Sequence, residues 1–365
     1  MHRTFRLLTA LALLVLIGSG VWAEPSADLV AAAKKEGKVV VYSITSRISN
    51  AAAAFEKKYG IKVEAYNLKD GELIEKVSRE VGGNIAGADF VISQDSGRVY
   101  GQLISTGYLV NYVPDSMKSV IPAKYQNPLV FQYINKVFIF NSEKTSKPVI
   151  KNVWELTEPK WKGLVQFKDP KLEGVNQNFL TMLTSPEWSA KLDKAYQDLY
   201  GKKLVLTTKN AGYEWIKRFF QNGLILGNSD TTISENVGIK GQPATVMGLF
   251  VYSKTRYDAK KNLALTPMTE VEPFSGFLYP AFLSMTKNAK NKNAAKLFIE
   301  YLLTAEGFAP WSKDVGAYSS NPSVPIDKDD HPMSFWEPKL VDEDPAYLFE
   351  NRADVEEFVN TISSN

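Results

Sequence analysis

The stretch from Lys38 to Ser93 constrains the fold more than any other part of the chain. Val39-Val40-Val41-Tyr42 is an unbroken β-branched and aromatic run, the pattern of a strand buried on both faces rather than one. A short Ala/Lys helix is expected before it, over 27–35, closed by Gly37. A second helix is expected over 51–59, with Ala51, Ala54, Phe55 and Lys58 on one face and Gly60 to end it. A strand over 61–66 follows, then a helix capped by Asp70-Gly71-Glu72 and running through Leu73, Val77 and Val81. A third strand is expected over 88–93. Strands separated by single helices in this way form a parallel sheet with right-handed crossovers. Such sheets bind ligands beyond the carboxyl ends of their strands.

A second α/β unit begins after Val137-Phe138-Ile139-Phe140-Asn141. It holds an apolar segment over 154–161, a strand over 164–167, and helices after Gly174, over 188–200, over 213–220 and near 231–240. A strand over 244–252 completes it, and the chain returns through the apolar run 277–286. Ala294, Leu297, Phe298, Tyr301 and Leu302 then repeat at helical spacing. From Ser312 the tail is rich in Pro, Asp and Asn and ends in a short helix over 353–362. The runs near 137–141 and 277–285 are where the chain is expected to cross between lobes. The expected division is a signal peptide over 1–23, a first lobe over 24–136 and 280–365, and a second lobe over 137–279.

Composition removes most chemistry. The chain has no cysteine and two histidines, His2 and His331. Disulfides, thiolate metal sites and cysteine nucleophiles are therefore absent. Lys and Arg total 43 against 40 Asp and Glu, a formal +3, and Arg3 and Arg6 account for two of these charges. A remainder this near neutrality offers no field for nucleic acid. His2, Arg3 and Arg6 precede an apolar run over 7–17, and Val21-Trp22-Ala23 makes a small-x-small cleavage pattern before Glu24. That is the layout of a secretory signal peptide, and the run is shorter than the roughly 20 residues that span hydrocarbon. A secreted chain starting near Glu24 is expected.

Several segments resemble the family 1 extracellular solute-binding proteins of bacterial ABC importers, and within them the ferric-iron type subgroup. They are Gly37-Lys-Val-Val-Val-Tyr-Ser43, Ala54-Phe-Glu-Lys-Lys-Tyr-Gly-Ile-Lys-Val63 and Ala88-Asp-Phe-Val-Ile-Ser93. Gly107-Tyr-Leu, Trp154-Glu-Leu-Thr-Glu-Pro-Lys-Trp-Lys-Gly163, Asn288-Ala-Lys-Asn-Lys-Asn-Ala-Ala-Lys-Leu-Phe298, Glu306-Gly307 and Tyr318-Ser-Ser-Asn-Pro322 extend the likeness in order along most of the chain. The resemblance implies the type II periplasmic binding fold: two Rossmann-like α/β lobes, joined by crossing strands, with a ligand cleft between. It also implies a monomer that closes on a small-molecule ligand and docks on an inner-membrane permease and its ATPase, without a cofactor.

The loops after the strands are the candidates for that cleft. Ser43, Thr45, Ser46 and Arg47 follow the first strand, where free N–H groups, hydroxyls and a guanidinium could hold an oxyanion; Ser46 or Ser49 as a plain helix cap is the competing reading. Asp95 and Ser96 follow the third strand, beside Gln94. In the second lobe, Asn176 and Asn178 lie after Gly174, and Asp230, Thr231 and Glu235 open another helix. By resemblance, the end of the strand over 244–252 is where ferric-iron binders place two adjacent tyrosines, and phenolates suit a hard trivalent ion. Here Val251-Tyr252 stands in that place, with Tyr257 beyond, and no histidine follows the first strand.

One phenol where two are needed makes iron the second reading. The first is a phosphorylated sugar or other organophosphate, recognised by hydroxyls, amides, helix ends and Arg47. Catalysis is not expected: phosphate-binding loops, dinucleotide fingerprints and nucleophile elbows do not occur. Ser284-Met-Thr-Lys287 falls at a strand end, and Asp329-Asp330-His331 reads as a solvated turn between prolines. A secreted hydrolase such as a glycosidase stays as a third reading, because paired carboxylates have no fixed spacing in sequence.

Overall fold

The computed structural model describes residues 24–363, so the expected signal peptide lies outside the described residues. The opening segment forms α1 (Ala27–Glu36), β1 (Lys38–Ser43), α2 (Ile48–Tyr59), β2 (Lys62–Asn67), α3 (Asp70–Gly82) and β3 (Phe90–Ser93). Ser26 caps α1 by accepting the Leu29 N–H at 3.1 Å, and Gly37 ends it in the left-handed conformation that lacks a steric penalty only for glycine. β1 pairs in parallel with both β2 and β3. One expected cap is corrected. Asp70 is the first residue of α3, not its cap, and its carboxylate accepts from Gln94 at the end of β3, 2.8 Å away.

The long strand β4 (Val130–Asn141) carries the chain across. Beyond it come β5 (Val165–Lys168), α4 (Gly174–Leu183), α5 (Pro186–Tyr200), α6 (Ala211–Gln221), β6 (Ile225–Gly227), α7 (Asp230–Gly238) and β7 (Met247–Val251). Then β8 (Gly276–Thr286) crosses back, followed by α8 (Lys292–Leu302) and α9 (Pro345–Ser363). The strands lie in the order β2-β1-β3-β8-β4-β7-β5-β6, and β4 and β8 run antiparallel at the centre. This is the mixed α/β, two-lobed fold expected. β4 starts earlier than expected because Gln132, Asn135 and Lys136 interrupt its apolar pattern.

Each lobe has an apolar core, and a third core spans both, with Tyr42, Leu73 and Val91 in one cluster with Ile233, Val237 and Phe250. In the first, Phe55 of α2 stacks on Phe298 of α8 with ring centroids 4.4 Å apart. In the second, Trp154, Phe179, Trp215 and Phe274 pack together. The final helix differs from expectation. It begins at Pro345 rather than near 353, because Asp344 Oδ1 accepts the N–H groups of Ala346 and Tyr347 at 2.9 and 3.0 Å and proline suits the first helical position. The expected division puts this tail in the first lobe, yet Leu348, Val355 and Val359 of α9 are buried in the second-lobe core. Asp330 is likewise a brace rather than a solvated turn: its carboxylate accepts from Tyr318 Oη at 2.7 Å and Trp336 Nε1 at 3.1 Å.

Gly276 opens β8 opposite Val137. A Cβ there would run into the Lys136 carbonyl oxygen and lie 2.7 Å from Val137 Cα, main-chain atoms that cannot turn aside. Gly276→Ala should therefore lower the free energy of unfolding measured in urea by more than the ~1 kcal/mol of an average substitution, because the central strand pair must part to admit it.

Candidate functional site

Lys136 sits inside β4 with its side chain fully buried. Its ammonium donates to Glu173, just before α4, and to Asn176 Oδ1 at 2.7 Å in the first turn of that helix. Asp230 Oδ1, at the start of α7, lies 3.2 Å away. Lys168, at the end of β5, pairs with Glu173 Oε1 at 2.9 Å and Asp230 Oδ2 at 3.7 Å. Burial alone would strip the Lys136 proton, but Asp230 and Glu173 outweigh it and hold the ammonium above the ordinary lysine range. Asp230 is held below its ordinary value: burial opposes ionisation, and Lys136, Lys168 and the Val251 N–H overcome it. The network ties the crossing strand to the beginnings of two helices.

At one edge, the two lobes meet through a shared carboxylate. Arg47 of the first lobe pairs with Asp314 and donates to the Pro310 carbonyl at 3.2 Å. Arg256, just beyond β7, reaches the same Asp314 oxygen at 3.1 Å. Both guanidinium side chains keep about a third of their surface open, 27% and 35%. Lys254 donates to Thr231 Oγ1 at 2.9 Å, and burial, with Arg256 beside it, holds its pKa below the ordinary lysine value. Tyr257 is lowered as well: burial acts upward, but Lys254 and Arg256 prevail. The loop after β1 is braced locally, with Ser43 Oγ accepting the Thr45 N–H at 3.2 Å and Thr45 Oγ1 the Arg47 N–H at 3.3 Å.

Between the lobes lies a cleft of about 1150 Å³, walled by Asp70, Gln94 and Arg98 from the first lobe, Lys168 and Glu173 from the second, and Arg352 of α9. Arg352 pairs with Asp95, and Ser96 donates to Glu343. Asp70 Oδ1 is buried without a hydrogen-bond partner. Burial pushes the Asp70 carboxyl up to about 7, against the opposing bond from Gln94. Burial likewise raises Glu343 to about 8, against the bonds from Ser96 and Asn178.

The sequence candidates thus fall into separate groups. Asn176 and Asp230 join around Lys136, while Asp95, Ser96 and Asn178 join around Arg352 and Glu343. Arg47 joins Arg256. Neither serine offered as a cap for α2 serves as one, since the capping position is Arg47 without a side-chain bond; Ser46 is exposed. Glu235 turns away to pair with Lys261. Tyr252 lies edge-on to Trp336, centroids 5.6 Å apart, and burial, followed by Asp330, Asp327 and Asp329, pushes its phenol up to about 12. Sequence reasoning missed Lys136, Lys168, Glu173, Asp314, Glu343 and Arg352. Only Lys136 carried a signal, a lone cation inside an apolar strand.

The model of the bacterial extracellular solute-binding protein matches residues 50–341. The chain belongs to that family. A protein of Haemophilus influenzae carried under the name "Uncharacterized protein" is 26% identical over 289 residues, 75% of each chain. Iron-bound HitA from Pseudomonas aeruginosa shares the fold with a TM-score of 0.68 at 18% identity, covering 89% of this chain and 99% of that one. Trichodesmium FutA, in complex with iron and citrate, gives 0.66 at 20%, covering 90% and 100%. Among the described residues of this solute-binding protein, no three His, Cys, Asp or Glu side chains are grouped to hold a metal ion.

Two measurements test the site's electrostatics. Because the Asp70 and Glu343 carboxyls ionise later in the folded state than unfolded, the folded protein binds more protons between pH 4 and 8. Their contribution is complete below about pH 4 and lost as pH rises through 7 and 8. Melting temperature should fall across pH 5 to 9, and Asp70→Asn with Glu343→Gln should flatten that fall. Lys136→Met leaves Glu173 and Asp230 facing each other with only Lys168, and should cost about 3–5 kcal/mol in urea unfolding.

Proposed function

We propose that this protein is the periplasmic solute-binding component of an ABC importer and that its cargo is a small organic oxyanion, best met by a phosphate monoester of a sugar or polyol. The observation that carries this reading is the pair of guanidinium groups, Arg47 and Arg256, that converge from opposite lobes on one carboxylate. Lys254 adds a cation whose pKa is already lowered by burial beside Arg256. Two guanidinium forks and an ammonium outnumber Asp314, so the edge keeps an excess of donors shaped for planar or tetrahedral oxyanions. The neighbouring cleft offers hydrogen-bonding groups of both kinds, Gln94 and Arg98 as donors and Asp70 and Glu173 as acceptors, which suits a hydroxylated body.

In this reading the solute docks on one lobe, the other closes, and donors from both sides converge as water leaves. The closed form then presents the cargo to the permease, and no bond is broken. Ferric iron is the second reading, supported by the iron named with HitA and FutA. Against it stands the lone Tyr252 at the end of β7, preceded by Val251 and packed edge-on to Trp336 at 5.6 Å, where the resemblance implies two adjacent tyrosines.

A thermal-shift panel of glucose 6-phosphate, glycerol 3-phosphate, glucose, inorganic phosphate and ferric citrate separates the readings. A phosphate ester at 100 times its Kd should stabilise the protein by about 2.7 kcal/mol, while glucose should not. Arg47→Ala and Arg256→Ala should each weaken that binding by about 10- to 100-fold, the loss of a charge-assisted hydrogen bond of ~1.5–3 kcal/mol. A shift with ferric citrate alone, accompanied by a visible phenolate-to-iron band, would overturn the oxyanion reading.

A further inference from the structure

One wall of the cleft is formed by the tail of the chain, through Leu348, Phe349 and Arg352. α9 is anchored in the second lobe: Leu348, Val355 and Val359 are buried in that core, Phe358 packs edge-on against Tyr213 of α6 with centroids 5.0 Å apart, and Tyr347 Oη lies 3.0 Å from Thr184 Oγ1. From this anchored helix several side chains reach the first lobe, among them Phe349, edge-on to Tyr100 with centroids 6.2 Å apart, and Arg352. Arg352 Nη1 donates to the Asp95 carboxylate and, at 3.1 Å, to Asn178 Oδ1 of α4. The other end of the Asn178 amide donates to Glu343 Oε1 at 3.1 Å, and Glu343 accepts from Ser96 of the first lobe. Asp95, Ser96 and Asn178 are all buried, while the Arg352 side chain keeps 15% of its surface open.

The surfaces that meet here fit in one arrangement. Gly97 leaves room for Leu348, whose Cβ would be 3.0 Å from an added Cβ. Gly101 lies under the Phe349 ring, and Gly174 at the start of α4 lies under the Asp95 carboxylate. Asp95 itself holds φ at +59°, a left-handed conformation that is unfavourable for a residue other than glycine. Such strain persists where surrounding contacts over-determine it, and here those contacts come from the second lobe and the tail.

We propose that α9 is a latch carried by the second lobe, and that Arg352 is the positioning residue that holds the first lobe against it. Opening the cleft at this edge then means parting Arg352 from Asp95 while the apolar anchors of α9 stay in place. This is separate from what the cleft binds and holds for any cargo.

The absence of cysteine from the chain allows a direct test. Cysteines placed at Glu75 and Leu172, exposed on opposite walls of the cleft, carry a spin-label pair whose separation reports the lobes in solution, without any solute. The otherwise unaltered protein should give one narrow distance. Arg352→Ala should shift it outward or add a longer population, and Arg352→Lys should restore part of the short one. Asp95→Gly removes the carboxylate at a backbone position that glycine occupies without strain, so it should fold and open the cleft in the same way even if Arg352→Ala does not fold. If the folded variants keep the parent distance and only their melting temperatures fall, Arg352 is a structural brace and the latch is refuted.

Discussion

A lysine ammonium with no access to water is the constraint around which the cleft is arranged. Lys136 stands on the strand that joins the lobes, and a lone charge there would be expelled or neutralised. It is kept by Glu173 and Asp230, which come from the beginnings of two different helices. Buried ion pairs of this type contribute little net stability against an apolar replacement, but they are unforgiving of the wrong geometry. Their effect is to fix where α4 and α7 start. Asp230 also accepts the Val251 N–H at 3.1 Å, so the end of β7 is set by the same cluster. Everything the second lobe offers to the cleft hangs from these positions.

The lobes touch through charge at two edges, and the two contacts differ in kind. Asp95 and Arg352 meet with the aspartate almost wholly enclosed and the arginine side chain 15% open. That pair is set among glycines and a strained backbone and has little tolerance for displacement. Arg47, Asp314 and Arg256 form the more open contact, with one carboxylate serving two cations. An incoming oxyanion can compete with Asp314 for one guanidinium while the other still neutralises that carboxylate, and Arg47 and Arg256 keep the Pro310 and Ser253 carbonyls as further acceptors. The closed edge therefore sets the geometry, and the open edge is where charge can be exchanged.

The strands and helices of the first lobe are readable because their determinants are local. Continuous β-branched runs, glycine stops and helical stripes each lie within a dozen residues. The site was legible only in part. Loop residues such as Arg47, Asp95 and Asn178 could be named from their place after strands, yet their partners could not. Arg47 and Asp314 are 267 positions apart, and Asp95 and Arg352 are 257 apart. No periodicity links such pairs. The start of α9 was hidden for a different reason. Its signal is the dipeptide Asp344-Pro345, a cap followed by a first helical residue, placed in a tail whose composition reads as loop.

The same physics bears on what the cleft can hold. A phenol ligates iron as its anion, and a bound metal ion itself draws off the proton, so the charges standing around each tyrosine matter more than its resting pKa. Here the tyrosine at the end of β7 is turned beneath an indole and surrounded by aspartates, which favour the neutral form. The residue before it is Val251, whose N–H is already taken by Asp230. Meanwhile Tyr257, the phenol whose ionisation is favoured, owes this to Lys254 and Arg256, and those same cations would repel Fe³⁺. A field that stabilises phenolate by positive charge serves an anion better than a metal cation. On this argument the cations around Tyr257 suit the proposed oxyanion better than they suit Fe³⁺, and the negative side chains lie instead around Tyr252.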